Sequence, residues 1–367
     1  MESYEVDVVS LLKNDDKYKV KEYVDKQNIN LYGFYLKDAS RNLYNYFLSL
    51  ILFKPLSIKR NYSKKLILFL QNEYHNNIDA VIVDHFLMYP YVKYLDKRQD
   101  FKVILHEHNA EYVLWRRYSK NCNSLLLKIA TLFESYRIEL YEKKIINNSK
   151  CVFATVDDIK SLQRLSNRSI KYYETLHLGD DQQLMLPDLK KPNFNTLLFV
   201  GTLSWEANVD GLIWFFEMIW PELIKINKDI KINIVGKNAP EKLVKYSKLY
   251  DNIFFLGFVD DLESLYVSSD LFISPLRFGS GIKVKNINAM YRGIPLITTT
   301  VGVESIGVVD SVHALVKDSE TDWVNSILQI LNDEDLWNEM SLNSRKLMRE
   351  NYTWDVVIDN FKKAIDE

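Results

Sequence analysis

Residues 275–295 read PLRFGSGIKVKNINAMYRGIP. The apolar run LFIS just before them (271–274) has strand character, and PLITTT, from Pro295 onward, has it again. Between the two runs the residues spell a glycine loop and a short helix. Gly279 and Gly281 let the backbone turn tightly and approach a ligand closely. The helix that follows turns its free N–H groups and positive dipole end toward that loop, which suits a phosphate. Lys283 and Lys285 fall in its first turn, where a cation opposes the dipole, so a bound anion would account for them. Lys285, Asn288 and Ala289 stand at i, i+3 and i+4 and share one face. Gly293 suits a helix C-cap, and Pro295 opens the next strand. Taken alone, the stretch also reads as an ordinary strand–helix–strand unit with solvated lysines, because glycine loops are weak signals.

The same scheme extends outward in both directions. TLLFVG, IKINIVG, NIFFLG, LFISP and PLITTT are short apolar strands, each closed by Gly, Pro or a turn. Segments 208–225, 240–250 and 262–268 have helical character and separate them. Earlier in the chain, EVDVVSLL, NINLYGFYL, DAVIVD, FKVILHE, CVFAT and IKYYETLHL alternate with longer periodic segments. Alternation of this kind predicts parallel sheets with crossover helices. The fold class is therefore α/β: two Rossmann-like doubly wound domains facing one another, with a ligand in the cleft at the carboxyl ends of their strands. Of the 11 glycines, only Gly33 and Gly179 precede residue 200. The KKPNFN segment around Pro192, after the polar LGDDQQ stretch, reads as a linker. The domains expected are 1–190, 191–350 and a terminal helix over 351–367 that returns toward the first domain.

Composition narrows the function classes. A chain of 367 residues is too long for one simple core. Its 47% hydrophobic and 26% charged content describes a globular protein, and a net charge of −2 argues against nucleic acid as a partner. The two cysteines, Cys122 and Cys151, have no metal-ligand spacing, which fits a reducing cytoplasm. Neither a signal peptide nor a run of the roughly 20 apolar residues that span a bilayer is evident.

From Thr196 onward the chain resembles the donor-binding half of GT-B glycosyltransferases, specifically the retaining family 4. The resemblance rests on FVGTLSWEANVDGL, INIVGK, FFLGFVDDLESLYVSSDLFISPLRFGSGIKVK, NAMYRGIPLITTTVGVE and NYTW, in that order and spacing. The first half resembles the family more loosely, through DAVIVDHFLMYPYV and HEHNAEYVLWRR. The resemblance implies transfer of a sugar from a nucleotide diphosphate sugar, UDP- or GDP-linked, to a glycan or lipid-linked acceptor, with retention and without a bound cofactor or metal. A sugar leaving a diphosphate develops negative charge, so such a site calls for cations and amide donors. Lys285 would then lie against the diphosphate together with the amides of Gly279 and Gly281. Gly201 would let the diphosphate approach its strand end. Lys237 would line the nucleotide side, or else be a surface lysine at a strand end. Val259, beside Phe258, would hold the base. Arg277 and Lys283 are secondary donor-side candidates whose plainer reading is a solvated or paired side chain. His108 would stand near the sugar. HxH spacing at His106 and His108 also suits zinc, but no cysteine or third histidine stands nearby, and no metal is expected.

Two departures weigh on the activity. Relatives carry a glutamate for the ribose hydroxyls where this chain has Asn288, which is neutral and one methylene shorter. The earlier acidic position is Ser280. Relatives also open with a strand and glycine-rich loop, whereas EVDVVSLL resembles their second strand. A missing central strand leaves backbone groups unpaired at an edge, to be covered by a rearranged strand, a partner subunit or a second copy of the chain. A catalytically weakened homologue acting as scaffold or activating subunit is the alternative to an active enzyme. Finally, 41–70 places LYNYFLSLILF beside Lys54, Lys59, Arg60, Lys64 and Lys65, with no acidic residue between Asp38 and Glu73. That pattern suits peripheral docking on an anionic membrane, or an apolar core face with solvated lysines.

Overall fold

The computed structural model describes residues 5–12, 30–36, 43–95, 100–122, 124–175, 178–279 and 281–366. Two compact units emerge. One takes the chain up to Glu107 with Cys122–Phe153 and Leu162–Tyr172; the other takes His108–Asn121, Ala154–Ser161 and Tyr173–Glu367.

The second unit is built on six parallel strands: β7 (Thr196–Val200), β8 (Lys231–Val235), β9 (Ile253–Gly257), β10 (Leu271–Ser274), β11 (Leu296–Thr298) and β12 (Leu315–Val316). Their order is β12-β11-β10-β7-β8-β9. Strands such as LFIS and LIT are buried along their whole length, as expected where helices cover both faces of a parallel sheet. The order reverses between β7 and β10, and such a switch point opens a crevice at the carboxyl ends of the two strands. One face carries a core with Trp220, Trp323 and Trp337 all fully enclosed. The other packs Ile287, Met290 and Tyr291 against Phe272 and Leu296.

Most expected elements appear, with differences that have physical causes. The helix expected over 208–225 is interrupted. It runs Glu206–Trp214, loosens into a π-type turn at Phe215–Ile219 and resumes at Trp220–Ile226, where Pro221 has no N–H to continue the ladder. Residues 173–190 were expected on the first domain, but they belong to the second unit, because Leu178 and Leu184 pack into its core. The terminal helix, Trp354–Asp366, also packs within the second unit. Val357 joins that core, and Trp354 Nε1 donates to the Gly179 carbonyl at 3.1 Å.

Two further sheets lie mainly in the first unit. β3 (Ala80–Asp84), β4 (Lys102–His106), β5 (Cys151–Ala154) and β6 (Lys171–Glu174) form a four-stranded sheet in that order. β1 (Asp7–Leu12) and β2 (Asn30–Tyr35) form their own two-stranded sheet, in register from Asp7–Asn30 to Leu12–Tyr35. A single sheet was expected. Among the described residues β1 pairs only with β2 and β3 only with β4, the division that follows when no strand stands between them. Aromatic packing of Tyr32 and Phe34 on Phe69, at 4.9 and 5.2 Å between ring centroids, holds the small sheet to the helix Lys64–Asn72.

Candidate functional site

Strand β10 ends at Ser274, and after the glycine loop the chain enters the helix Val284–Arg292, which ends as expected on left-handed Gly293. Lys283 is its N-cap residue and makes no side-chain cap, so the first turn keeps its amide donors for another partner. The helix Glu206–Trp214 follows β7 across the switch point and points the start of its first turn at the same place.

Lys285 is the centre of this arrangement. Its Nζ donates to Asn208 Oδ1 at 2.7 Å and lies 4.4 Å from the centroid of the Phe199 ring. Asn208 in turn gives its Nδ2 to the Thr202 carbonyl at 2.9 Å, which fixes the amide with its oxygen toward the lysine. Both partners are neutral. Burial, and then Lys283 nearby, push the Lys285 ammonium down to about 7. Gly201 makes this packing possible: a Cβ there would stand 3.0 Å from Asn208 Nδ2 and 3.2 Å from the Phe199 ring.

Lys283 lies in the same enclosure. Its Nζ donates to the Gly281 carbonyl and stands 4.0 Å from Glu304 Oε2. Burial pushes it down to about 8, with Glu304 opposing that shift. Arg117, on the helix Glu111–Lys120, donates through Nη1 to Glu304 Oε2 and to the Gly279 carbonyl, each at 2.7 Å. The glycine loop is thus held from outside by an arginine and a carboxylate. Sequence reasoning gave Arg117 no role and did not single out Glu304 or Asn208.

His108 stands beside the loop. A Cβ on Gly281 would meet Asn109 Oδ1 at 2.4 Å and the His108 carbonyl at 2.5 Å, so the two segments touch backbone to backbone. Asp158 holds the segment in place, its Oδ1 accepting from the Ala110 N–H at 2.9 Å and its Oδ2 from Thr155 Oγ1 at 2.8 Å. With φ at +65° and no room for a methyl group, Gly281→Ala is expected to cost about 2 kcal/mol or more. Urea unfolding would measure it; a midpoint equal to that of the parent would mean that the loop yields freely.

The other sequence candidates take varied places. Arg277 is committed to Asp210, through Nε at 2.8 Å and Nη2 at 2.5 Å. Lys237 lays its Nζ 4.1 Å from the centroid of the exposed Phe258 ring at the end of β9. Val259 is half-buried against the core that includes Ile287 and Met290. Asn288 Oδ1 accepts from the Asp180 N–H at 3.0 Å, in a space where a Cβ on Gly179 would meet it at 1.7 Å. Ser280 lies outside the described residues. The structure therefore gathers Lys285, Lys283, Gly279, Gly281, Gly201 and His108 about one loop, while Arg277 turns to a carboxylate.

Comparison with known proteins gives this geometry a context. The family model described as glycosyl transferases group 1 matches residues 194–333. An uncharacterized 44.6 kDa protein in the cps region of Klebsiella pneumoniae is 26% identical over 360 residues, 95% of this chain and 88% of the relative. Among solved structures, S. aureus TarM in complex with UDP and other ligands aligns with a TM-score of 0.65 at 15% identity, over 82% of this chain and 58% of TarM. Anabaena HepE in complex with UDP aligns with a TM-score of 0.64 at 13% identity, over 95% of this chain and 89% of HepE.

Proposed function

We propose that this protein is a glycosyltransferase that moves a sugar from a nucleotide diphosphate sugar to a glycan or lipid-linked acceptor of a surface polysaccharide, with retention at the anomeric carbon, a reading supported by the group 1 glycosyl transferase model over residues 194–333, the GT-B-like fold and the cps-region relative. The observation that carries the reading is Lys285, an ammonium enclosed at a helix start against a neutral amide and a ring, with Lys283 nearby. A diphosphate arriving there would meet two lysines and the open amides of the first turn. Those groups strengthen their hold as the leaving diphosphate gains charge, the condition for lowering the barrier. His108, whose carbonyl lies beside Gly281, is the residue that in this reading would contact the sugar. UDP in the HepE and TarM structures favours a uridine nucleotide, and the cps-region relative favours a surface polysaccharide.

Asn288 supports a second reading, that of a weakened homologue acting as scaffold. Its amide oxygen already serves the Asp180 N–H, and it is neutral where relatives by resemblance carry a ribose-binding glutamate. Thermal unfolding with UDP, GDP and ADP, followed by an assay for sugar release from the matching donor, separates the two. The transferase reading expects one nucleotide to stabilise the fold and its sugar to be released. No shift with any of the three, and no release, would leave the scaffold.

A further inference from the structure

The loop after β11 brings to the donor site a carboxylate that the transfer chemistry has not called upon. Thr300–Val303 forms a short turn of helix whose surroundings fix it at three points. Thr299 Oγ1 donates to the Leu276 carbonyl, Asn286 Nδ2 donates to the Gly302 carbonyl at 2.8 Å, and a Cβ on Gly302 would meet Thr298 Oγ1 at 1.8 Å. Immediately afterwards Ser305 adopts φ +62°, a left-handed conformation uncommon for a residue other than glycine. Its N–H donates to Asp157 Oδ2 at 3.0 Å and its hydroxyl lies 3.0 Å from Thr155 Oγ1, bonds that hold the strained backbone in place. Glu304 stands between these two fixed points, so the backbone aims its carboxylate.

That carboxylate serves two cations. Glu304 Oε2 accepts from Arg117 Nη1 at 2.7 Å and lies 4.0 Å from Lys283 Nζ. The two partners differ in setting. Arg117 is 37% exposed, so solvent screens its pairing, whereas Lys283 is 9% exposed. An ion acts more strongly where water is excluded, and Lys283 therefore feels Glu304 across the longer distance. Burial lowers the Lys283 ammonium and Glu304 opposes that shift. Of the other charged groups acting on it, Asp158 and Asp157, in the first turn of the helix Val156–Gln163, raise it, and Arg117 lowers it. Lys285, on the same helix as Lys283, is itself lowered by that neighbour. A diphosphate would claim Lys283 and be repelled by Glu304, while Arg117 remains to hold the carboxylate.

We propose that Glu304 is a positioning residue of the donor site: it is the resident counter-charge of Lys283, keeps that ammonium charged beside the glycine loop before the donor binds, and stays with Arg117 when a diphosphate takes its place. In this role Glu304 touches neither the sugar nor the reacting atoms and acts through Lys283. The inference deepens the transferase reading and rests on it for the identity of the incoming anion. The charge that Glu304 lends to Lys283 stands apart from that reading.

Calorimetric titration of the full chain across pH tests this, with whichever of UDP, GDP and ADP the parent binds and with two variants that break one ion pair from opposite ends. Glu304→Gln removes the counter-charge. On the acid side of both lysines it should tighten the nucleotide by roughly tenfold, because the diphosphate no longer meets a carboxylate. The fall in affinity that sets in at the Lys283 value, about 8 in the parent, should move to lower pH. Arg117→Gln leaves the carboxylate to Lys283 alone. It should loosen the nucleotide by roughly tenfold and move the same fall to higher pH. A merely structural tie would act alike in both variants, with affinity lowered and the pH of the fall unchanged, and that result would overturn the proposal. Urea unfolding reads the same titration without nucleotide. Lys283 lies at about 8 in the folded chain against 10.5, so stability rises with pH between the two. The rise should begin at lower pH in Glu304→Gln and at higher pH in Arg117→Gln. Such opposite shifts, with no nucleotide bound by the parent, would remove the transferase reading and leave the hold of Glu304 on Lys283 standing. Should Glu304→Gln fail to fold, Arg117→Gln decides alone: a rise that begins at or below the parent's pH would overturn the proposal.

Discussion

Lys285→Met is expected to lower turnover by roughly 10²–10³-fold while leaving the free protein as stable as before, or more so. Methionine keeps the length and the apolar stem but brings no charge into the enclosure. In the parent, that charge is held among Asn208, Phe199 and a second lysine, and among the described residues no carboxylate pairs with it. Removing it relieves a desolvation cost. Against this stands the Asn208 carbonyl oxygen, which loses its donor at a cost of about 1–3 kcal/mol if nothing replaces it. The lost contact of the ammonium with the Phe199 ring adds about 0.5–2 kcal/mol. These terms are comparable and opposed, so stability should change little. Turnover has no such compensation, because the charge is wanted most when the diphosphate departs. Lys285→Arg should not rescue it, since a planar fork does not fit a slot shaped for a compact ammonium between a ring and an amide. The readouts are steady-state turnover and the thermal midpoint with and without UDP. Parallel loss of both activity and fold would make Lys285 a structural residue.

The parts of this site that could be read from the chain were those encoded locally. A glycine at 281, two lysines at a helix start and a glycine C-cap at 293 are neighbours in sequence, and their geometry follows from backbone rules. The parts that could not be read come from distant elements. Asn208 lies 77 residues from the lysine that it holds, and Arg117 lies 187 residues from Glu304. No periodicity links such positions. Arg277 shows a limit of local reading: the chain allowed a paired side chain there, but not its partner Asp210, 67 residues earlier, which accepts from its Nε and Nη2. The domain boundary was misplaced for a related reason. KKPNFN has the composition of a linker and follows the polar LGDDQQ stretch, yet Leu178 within that stretch and Leu184 just after it pack into the second unit's core. Five of the six strands were legible because each is a short apolar run closed by Gly, Pro or a turn; the two-residue β12 and the strand order were not. The split of the first unit into two sheets depended on pairing, which no single strand announces.

Affinity for the nucleoside diphosphate is expected to fall steeply as pH rises from about 7 to about 9. In the free protein burial brings Lys285 to about 7 and Lys283 to about 8, both from 10.5. A diphosphate favours the charged ammonium, so binding raises both values and takes up protons wherever the free lysines are neutral. Each lysine can therefore cost up to about tenfold in affinity per pH unit above its free value. Below pH 7 both are already charged and the curve should level, until the phosphate itself protonates near about 6. The stability of the free protein should move the other way. Its folded lysine values lie below the unfolded one, so between about pH 7 and 10.5 the unfolded chain binds more protons, and stability rises with pH through that window. Saturating nucleotide should cancel this rise. Calorimetric titration in buffers of different ionisation enthalpy would count the protons taken up, and Lys285→Met should remove the part that begins near pH 7. An affinity flat from pH 7 to 9, with no proton uptake, would mean that the diphosphate does not meet these lysines, and the donor site would have to be sought elsewhere in the second unit.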